Sequence, residues 1–131
     1  MTHAGPSRSR RALVLAASLA FALGCGVSRD EIETVIDRGA PLIQAIQAYE
    51  SLNGHPPASL HVLVPKYIRE IPTTGLESFP KFDYDAPAGS APWLLSVRVR
   101  SLGFKHMRFD PSGRHPVPVT PLRDGWVMMD P

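Results

Sequence analysis

Residues 93–109 read Trp-Leu-Leu-Ser-Val-Arg-Val-Arg-Ser-Leu-Gly-Phe-Lys-His-Met-Arg-Phe, and this stretch decides the fold. Leu95, Val97 and Val99 alternate with Ser96, Arg98 and Arg100, the period of two that gives a strand one buried and one wet face. Leu102-Gly103 interrupts the run, so 93–101 and 104–109 are expected to pair as an antiparallel hairpin. Two further segments, 81–85 and 125–129, have strand composition, and in the first Phe82 and Tyr84 alternate with Asp83 and Asp85. The expected sheet therefore has about four antiparallel strands.

Upstream of it the period changes from two to 3.6. Ile32, Val35 and Ile36, then Leu42, Ile43, Ile46, Tyr49 and more loosely Leu52, make the stripe of a helix packed on something. Ser28 can cap its start with Glu31 as the reciprocal partner three residues on, while Asp30 and Glu33 suit the positive end of the helix dipole. Gly39-Ala40-Pro41 predicts a kink or two nearly abutting helices, because proline removes a backbone donor and crowds the preceding turn. Asn53-Gly54 ends the element by tolerating a left-handed conformation. A short helix is expected over 58–64, with Leu60, Leu63 and Val64 inward and Pro65 stopping it. A kinked helix packed on the apolar face of an antiparallel sheet is an α+β fold.

The 131 residues suit one domain. Most of the 14 prolines and 10 glycines come after residue 53, which predicts short elements and many loops there. The formal charge of +2 misleads, since Arg8, Arg10 and Arg11 lie in the first 24 residues with no acid beside them. Residues 25–131 are close to neutral, which argues against a nucleic-acid partner.

That first segment has the plan of a cleaved export signal: a basic stretch at 8–11, then an apolar or small-residue run from Ala12 to Leu23 broken only by Ser18. The run is too short to span a bilayer comfortably, which takes about 20 apolar residues. Its end, Ala22-Leu23-Gly24-Cys25, resembles the lipobox of bacterial lipoproteins, although Leu stands two residues before Cys rather than the commoner three. The resemblance implies cleavage after Gly24, diacylglycerol on Cys25 and acylation of the new amino terminus, together a durable anchor. With Gly26 rather than Asp after Cys25, it also implies the outer membrane, facing the periplasm, in a two-membrane host. Ordinary cleavage after Ala20-Phe21-Ala22 and a retained short anchor are the competing readings. The expected organisation is a signal at 1–24, a lipidated Cys and tether at 25–27, and one domain at 28–131.

Between Leu42 and Ala86 the order of features narrows further. A helix ending Ala48-Tyr49-Glu50 leads into Asn53-Gly54-His55-Pro56, then Ser59-Leu60 and Leu63-Val64-Pro65-Lys66-Tyr67-Ile68, then Ile71-Pro72, and then Phe82 and Tyr84 opening a sheet. This resembles the globular head of type IV pilin-like proteins, especially the pseudopilins of type II secretion. Those proteins carry a long apolar helix that builds the filament, whereas the residues after Cys25 are polar and charged. The resemblance thus implies a pilin-like head on a lipid tether: a non-enzymatic interaction or assembly component of the cell envelope, linked to secretion or pilus machinery through a protein partner.

Motifs for chemistry are sparse. His3, His55, His61, His106 and His115 show no paired metal-ligand spacing, Cys25 is assigned to the anchor, and neither Gly-x-Ser-x-Gly nor a phosphate-cradling glycine loop occurs. No catalytic residue and no cofactor is assigned. Asp110 and Asp124, near expected strand ends, are the candidates for a calcium site such as the major pseudopilins carry, against plain turn acids. Arg98 and Arg100, with Lys105 and Arg108 on the neighbouring strand, are expected to form a basic patch for lipid headgroups or an acidic partner, unless Asp83 and Asp85 pair across it. A calcium-dependent or cell-wall-facing binding module is the first alternative function, and an envelope hydrolase the second.

Overall fold

The structure is a computed structural model describing residues 26–88, 91–101, 103–115 and 118–130. One helix, α1 (Arg29–Asn53), precedes a five-stranded antiparallel sheet: β1 (Asp83–Asp85), β2 (Leu94–Ser101), β3 (Gly103–Phe109), β4 (Val119–Pro121) and β5 (Trp126–Met129). The strand order is β1-β2-β3-β5-β4. The α+β expectation holds, with one strand more than the sequence suggested.

Helix α1 starts where its capping residues place it. The Ser28 hydroxyl accepts from the Glu31 N–H at 3.1 Å while the Glu31 carboxylate accepts from the Ser28 N–H at 3.0 Å. Gly54, at φ 78°, closes the far end in the left-handed conformation and its N–H donates to the Glu50 carbonyl. Between them α1 is one uninterrupted helix rather than two, with Pro41 inside it. Pro41 lies on the exposed side, where solvent can satisfy the carbonyl left without an amide partner. Val35, Ile36, Leu42, Ile43 and Ile46 are buried as the stripe requires, but Leu52, in the last turn, is 73% exposed. Gly39 marks the closest approach, since a Cβ there would stand 2.9 Å from Trp126 Cζ2.

The expected helix over 58–64 is a single 3-10 turn at Leu60–Leu63. Leu63 is buried and Leu60 packs at the core's margin, whereas Val64 faces out. The turn is too short to bury a full stripe, so one anchoring leucine suffices.

The sheet's inner face meets α1 through Leu95, Val97, Val99 and Met107, all 0% exposed. A row of rings crosses the same face, with centroid separations of 6.2 Å (Tyr84–Trp93), 5.7 Å (Trp93–Phe109), 5.9 Å (Phe109–Trp126) and 6.5 Å (Trp126–Phe82). Aromatic pairs at such distances add about 0.5–1.5 kcal/mol each beyond the apolar area they bury. At the β1 edge the Tyr84 hydroxyl donates to the Pro57 carbonyl at 2.7 Å. Burial first, and then the nearby Glu50 and Asp85 carboxylates, push that phenol up to about 12.

β4 has no counterpart among the expected strands. Its three residues come after Pro118 and end on Pro121, a composition that signals loop, and they pair only with β5. The turn between β4 and β5 holds Asp124 at φ 57° and Gly125 at φ 84°. Arg123 ties this turn to α1: its guanidinium bonds Asp37 at 2.7 Å, Glu33 at 2.7 Å and Asp124 at 2.7 Å. Asp37, and then Glu33, hold that guanidinium above its ordinary pKa. Both edges of the sheet are thus three-residue strands, one carrying the exposed Asp83 and Asp85, the other Pro121.

Candidate interaction surface

The register of the hairpin decides which basic residues share a face. Ser101 pairs with Gly103, so Arg98 faces His106, Arg100 faces Phe104, Ser96 faces Arg108, and Val99 faces Lys105. Directly opposed residues of an antiparallel pair project to the same side. Arg98, Arg100 and Arg108 therefore lie on the outer face, while Lys105 lies on the inner one, in line with Val99 and Met107. This corrects the expected four-residue patch. Lys105 sits at the margin of the inner face, where its ammonium meets Asp130 at 2.9 Å.

Arg108 is engaged as well. Its side chain is 21% exposed, and its guanidinium lies 3.6 Å from the Asp110 carboxylate, which is 2% exposed. Two arginines remain, Arg98 and Arg100, both exposed, with no ion pair at either among the described residues. Asp83 is on the same face, opposite Ser96, without a salt bridge to either arginine.

A loop with no motif in its sequence completes the surface. Thr74, 0% exposed, clamps residues 74–80. Its N–H donates to the Pro80 carbonyl at 3.0 Å, its hydroxyl donates to the Phe79 carbonyl at 2.7 Å, and the same hydroxyl accepts from the Leu76 N–H at 3.0 Å. Gly75, at φ 86°, lets the loop settle on α1, for a Cβ there would meet Thr34 Cγ2 at 2.6 Å. Arg38 braces it by donating to Thr73 Oγ1 at 3.0 Å. The loop so held presents Ser78 and Phe79 between the two arginines. Arg98 stacks over the Phe79 ring at 5.9 Å, a cation–π contact.

Two open clefts flank Ser78 and Phe79. One, of about 200 Å³, is lined by Gly26, Val27, Glu31, Leu76, Glu77 and Arg100; the other, of about 310 Å³, by Pro80, Lys81, Asp83 and Arg98. Both lie at or below the small end of ligand pockets, so they suit a compact polar group better than a large substrate. The first holds Gly26 and Val27, which connect directly to Cys25.

The calcium candidates are engaged elsewhere. Asp110 Oδ1 accepts from the Ser112 N–H at 2.8 Å and from the Ser112 hydroxyl at 2.6 Å, and Asp124 is bound to Arg123. No group of three or more metal-ligating side chains occurs among the described residues. Asp110, Ser112 and His115 do line one hollow together. A hydrolytic serine must give its proton to histidine, yet the Ser112 hydroxyl is directed to Asp110, so the order of a Ser-His-Asp relay is not met. Cys25 and Gly24 lie outside the described residues, and their reading rests on the sequence.

The fold and surface define a small α+β domain whose outer face exposes Arg98 and Arg100. Compared with protein-family models, curated proteins and solved structures, the chain matches none.

Proposed function

We propose that this chain is a non-enzymatic lipoprotein whose α+β head is held at the bacterial cell envelope through acylated Cys25 and serves as an interaction or assembly component there. The observation that carries the reading is the shortness of the link: Gly26 and Val27 alone separate Cys25 from the capping Ser28, after which α1 is polar on its exposed side. Among the described residues no helix is long and apolar enough to cross a membrane. The order of helix, proline-rich loop and antiparallel sheet supports a pilin-like head, and hence a partner in secretion or pilus machinery. The test is Cys25→Ser in cells given a fatty-acid probe. Loss of label together with unprocessed precursor is expected; label that persists removes the anchor.

A further inference from the structure

We infer that the outer-face clefts around Arg98 and Arg100 dock the head on the anionic phospholipid headgroups of the membrane that anchors it. The inference rests on the Cys25 anchor just proposed. Its first support is position. The Arg100 cleft includes Gly26, and adjacent Cα atoms are about 4 Å apart, so the acyl chains would leave the head at the mouth of that cleft. The link from Gly26 to the Ser28 cap spans about 7 Å at most, which keeps the outer face within reach of the headgroups to which Cys25 would be bound.

The second support is chemistry. Arg98 and Arg100 are exposed, lie two residues apart on one strand face and make no ion pair among the described residues. A guanidinium pairs with phosphate through two parallel hydrogen bonds. Ser78 lines both clefts and Lys81 lines the second. Opposing acids are present: Glu31 and Glu77 line the cleft with Arg100, and Asp83 lines the one with Arg98 and Lys81, so three cations face three carboxylates and an untethered headgroup would be held weakly. The tether matters for this balance, since linking converts a weak contact into an intramolecular one at high effective concentration.

The experiment uses the lipidated full chain on vesicles of phosphatidylcholine alone or mixed with phosphatidylglycerol, read by amide hydrogen exchange over residues 76–80 and 96–101. Flotation with the phosphatidylcholine vesicles reports the anchor; failure to float overturns the anchor and this docking with it. Given flotation, exchange in both segments should slow on adding phosphatidylglycerol and recover at high salt, where charges more than a few ångströms apart are screened. Arg98→Gln with Arg100→Gln should reduce the added protection about 30-fold, the factor two arginines near an anionic surface supply. Glu77→Gln should increase it, a gain that no structural defect produces. Arg114→Gln, in the loop beyond the opposite end of β3, should leave it unchanged. Equal exchange on both vesicles overturns the inference, and so does protection by soluble polyglutamate in place of phosphatidylglycerol, which would assign the face to an acidic protein.

Discussion

The two faces of β2 are made by alternate residues of one strand, and they obey different physics. Leu95, Val97 and Val99 are sealed against α1, whereas Arg98 and Arg100, one residue away in each case, stand in solvent. On the inner face position is set by packing, so neighbours are fixed wherever volume must be filled. On the outer face the ends of Arg98 and Arg100 fill no enclosed volume, and Arg98 rests on the Phe79 ring. Stability belongs to one face, and the capacity to meet another surface belongs to the other.

That contrast breaks most severely at Val97→Asp, which places a charge where no partner exists. A loss of about 4 kcal/mol or more is expected, enough to abolish the cooperative thermal transition in circular dichroism; a folded variant would mean that the inner face is not the core. Thr74→Val comes next. It keeps the shape but removes the bonds that the hydroxyl makes to the Phe79 carbonyl and the Leu76 N–H, at a cost of about 1–3 kcal/mol, and exchange at residues 76–80 should accelerate beyond the rest of the chain. Gly39→Ala tests how tightly helix and sheet meet. Helix propensity gains about 1 kcal/mol, but crowding Trp126 costs about 1–3 kcal/mol, so denaturant titration should show a net loss of up to about 2 kcal/mol rather than the usual gain. Smallest is Arg98→Gln with Arg100→Gln, expected to move stability by less than about 0.5 kcal/mol; a larger loss would make the outer face structural.

Alkaline pH sharpens the comparison at the inner margin. Because the folded chain raises the Tyr84 pKa from 10.0 to about 12, the folded state holds that proton more tightly than the unfolded one. The corresponding stability is fully present below pH 10 and is lost as pH rises toward 12. Tyr84→Phe should therefore flatten the melting temperature across that window while lowering it at neutral pH through loss of the Pro57 hydrogen bond.

The inner face was legible because burial imposes a period. The alternation at 94–101, the α1 stripe and the Ser28–Glu31 box each arise from local rules, and each is found as expected. Lys105 was misplaced because its side depends on register, and a shift of one residue exchanges the faces. The single residue between Ser101 and Gly103 gives paired positions the same parity, which groups Lys105 with Val99 instead of Arg98. Leu52 and Val64 carry the right composition but lie in the last turn of α1 and just past a single 3-10 turn, and both are exposed. The Thr74 clamp was illegible for another reason. Its three hydrogen bonds join residues of a loop without periodicity, and a buried threonine among prolines has no sequence signature. Arg123 is similar, since its partners Glu33 and Asp37 lie far back in the chain.

The blunt edges of the sheet bear on the anchoring proposed above. Chains held by a lipid on Cys25 would be confined to two dimensions and oriented alike, conditions in which a long open strand would recruit its neighbours into a growing sheet. Here one margin ends in Asp83 and Asp85, which repel a second copy of themselves, and the other in Pro121, which has no amide to offer. Copies held in this way would accumulate side by side without fusing along their backbones, leaving each outer face available as a separate unit.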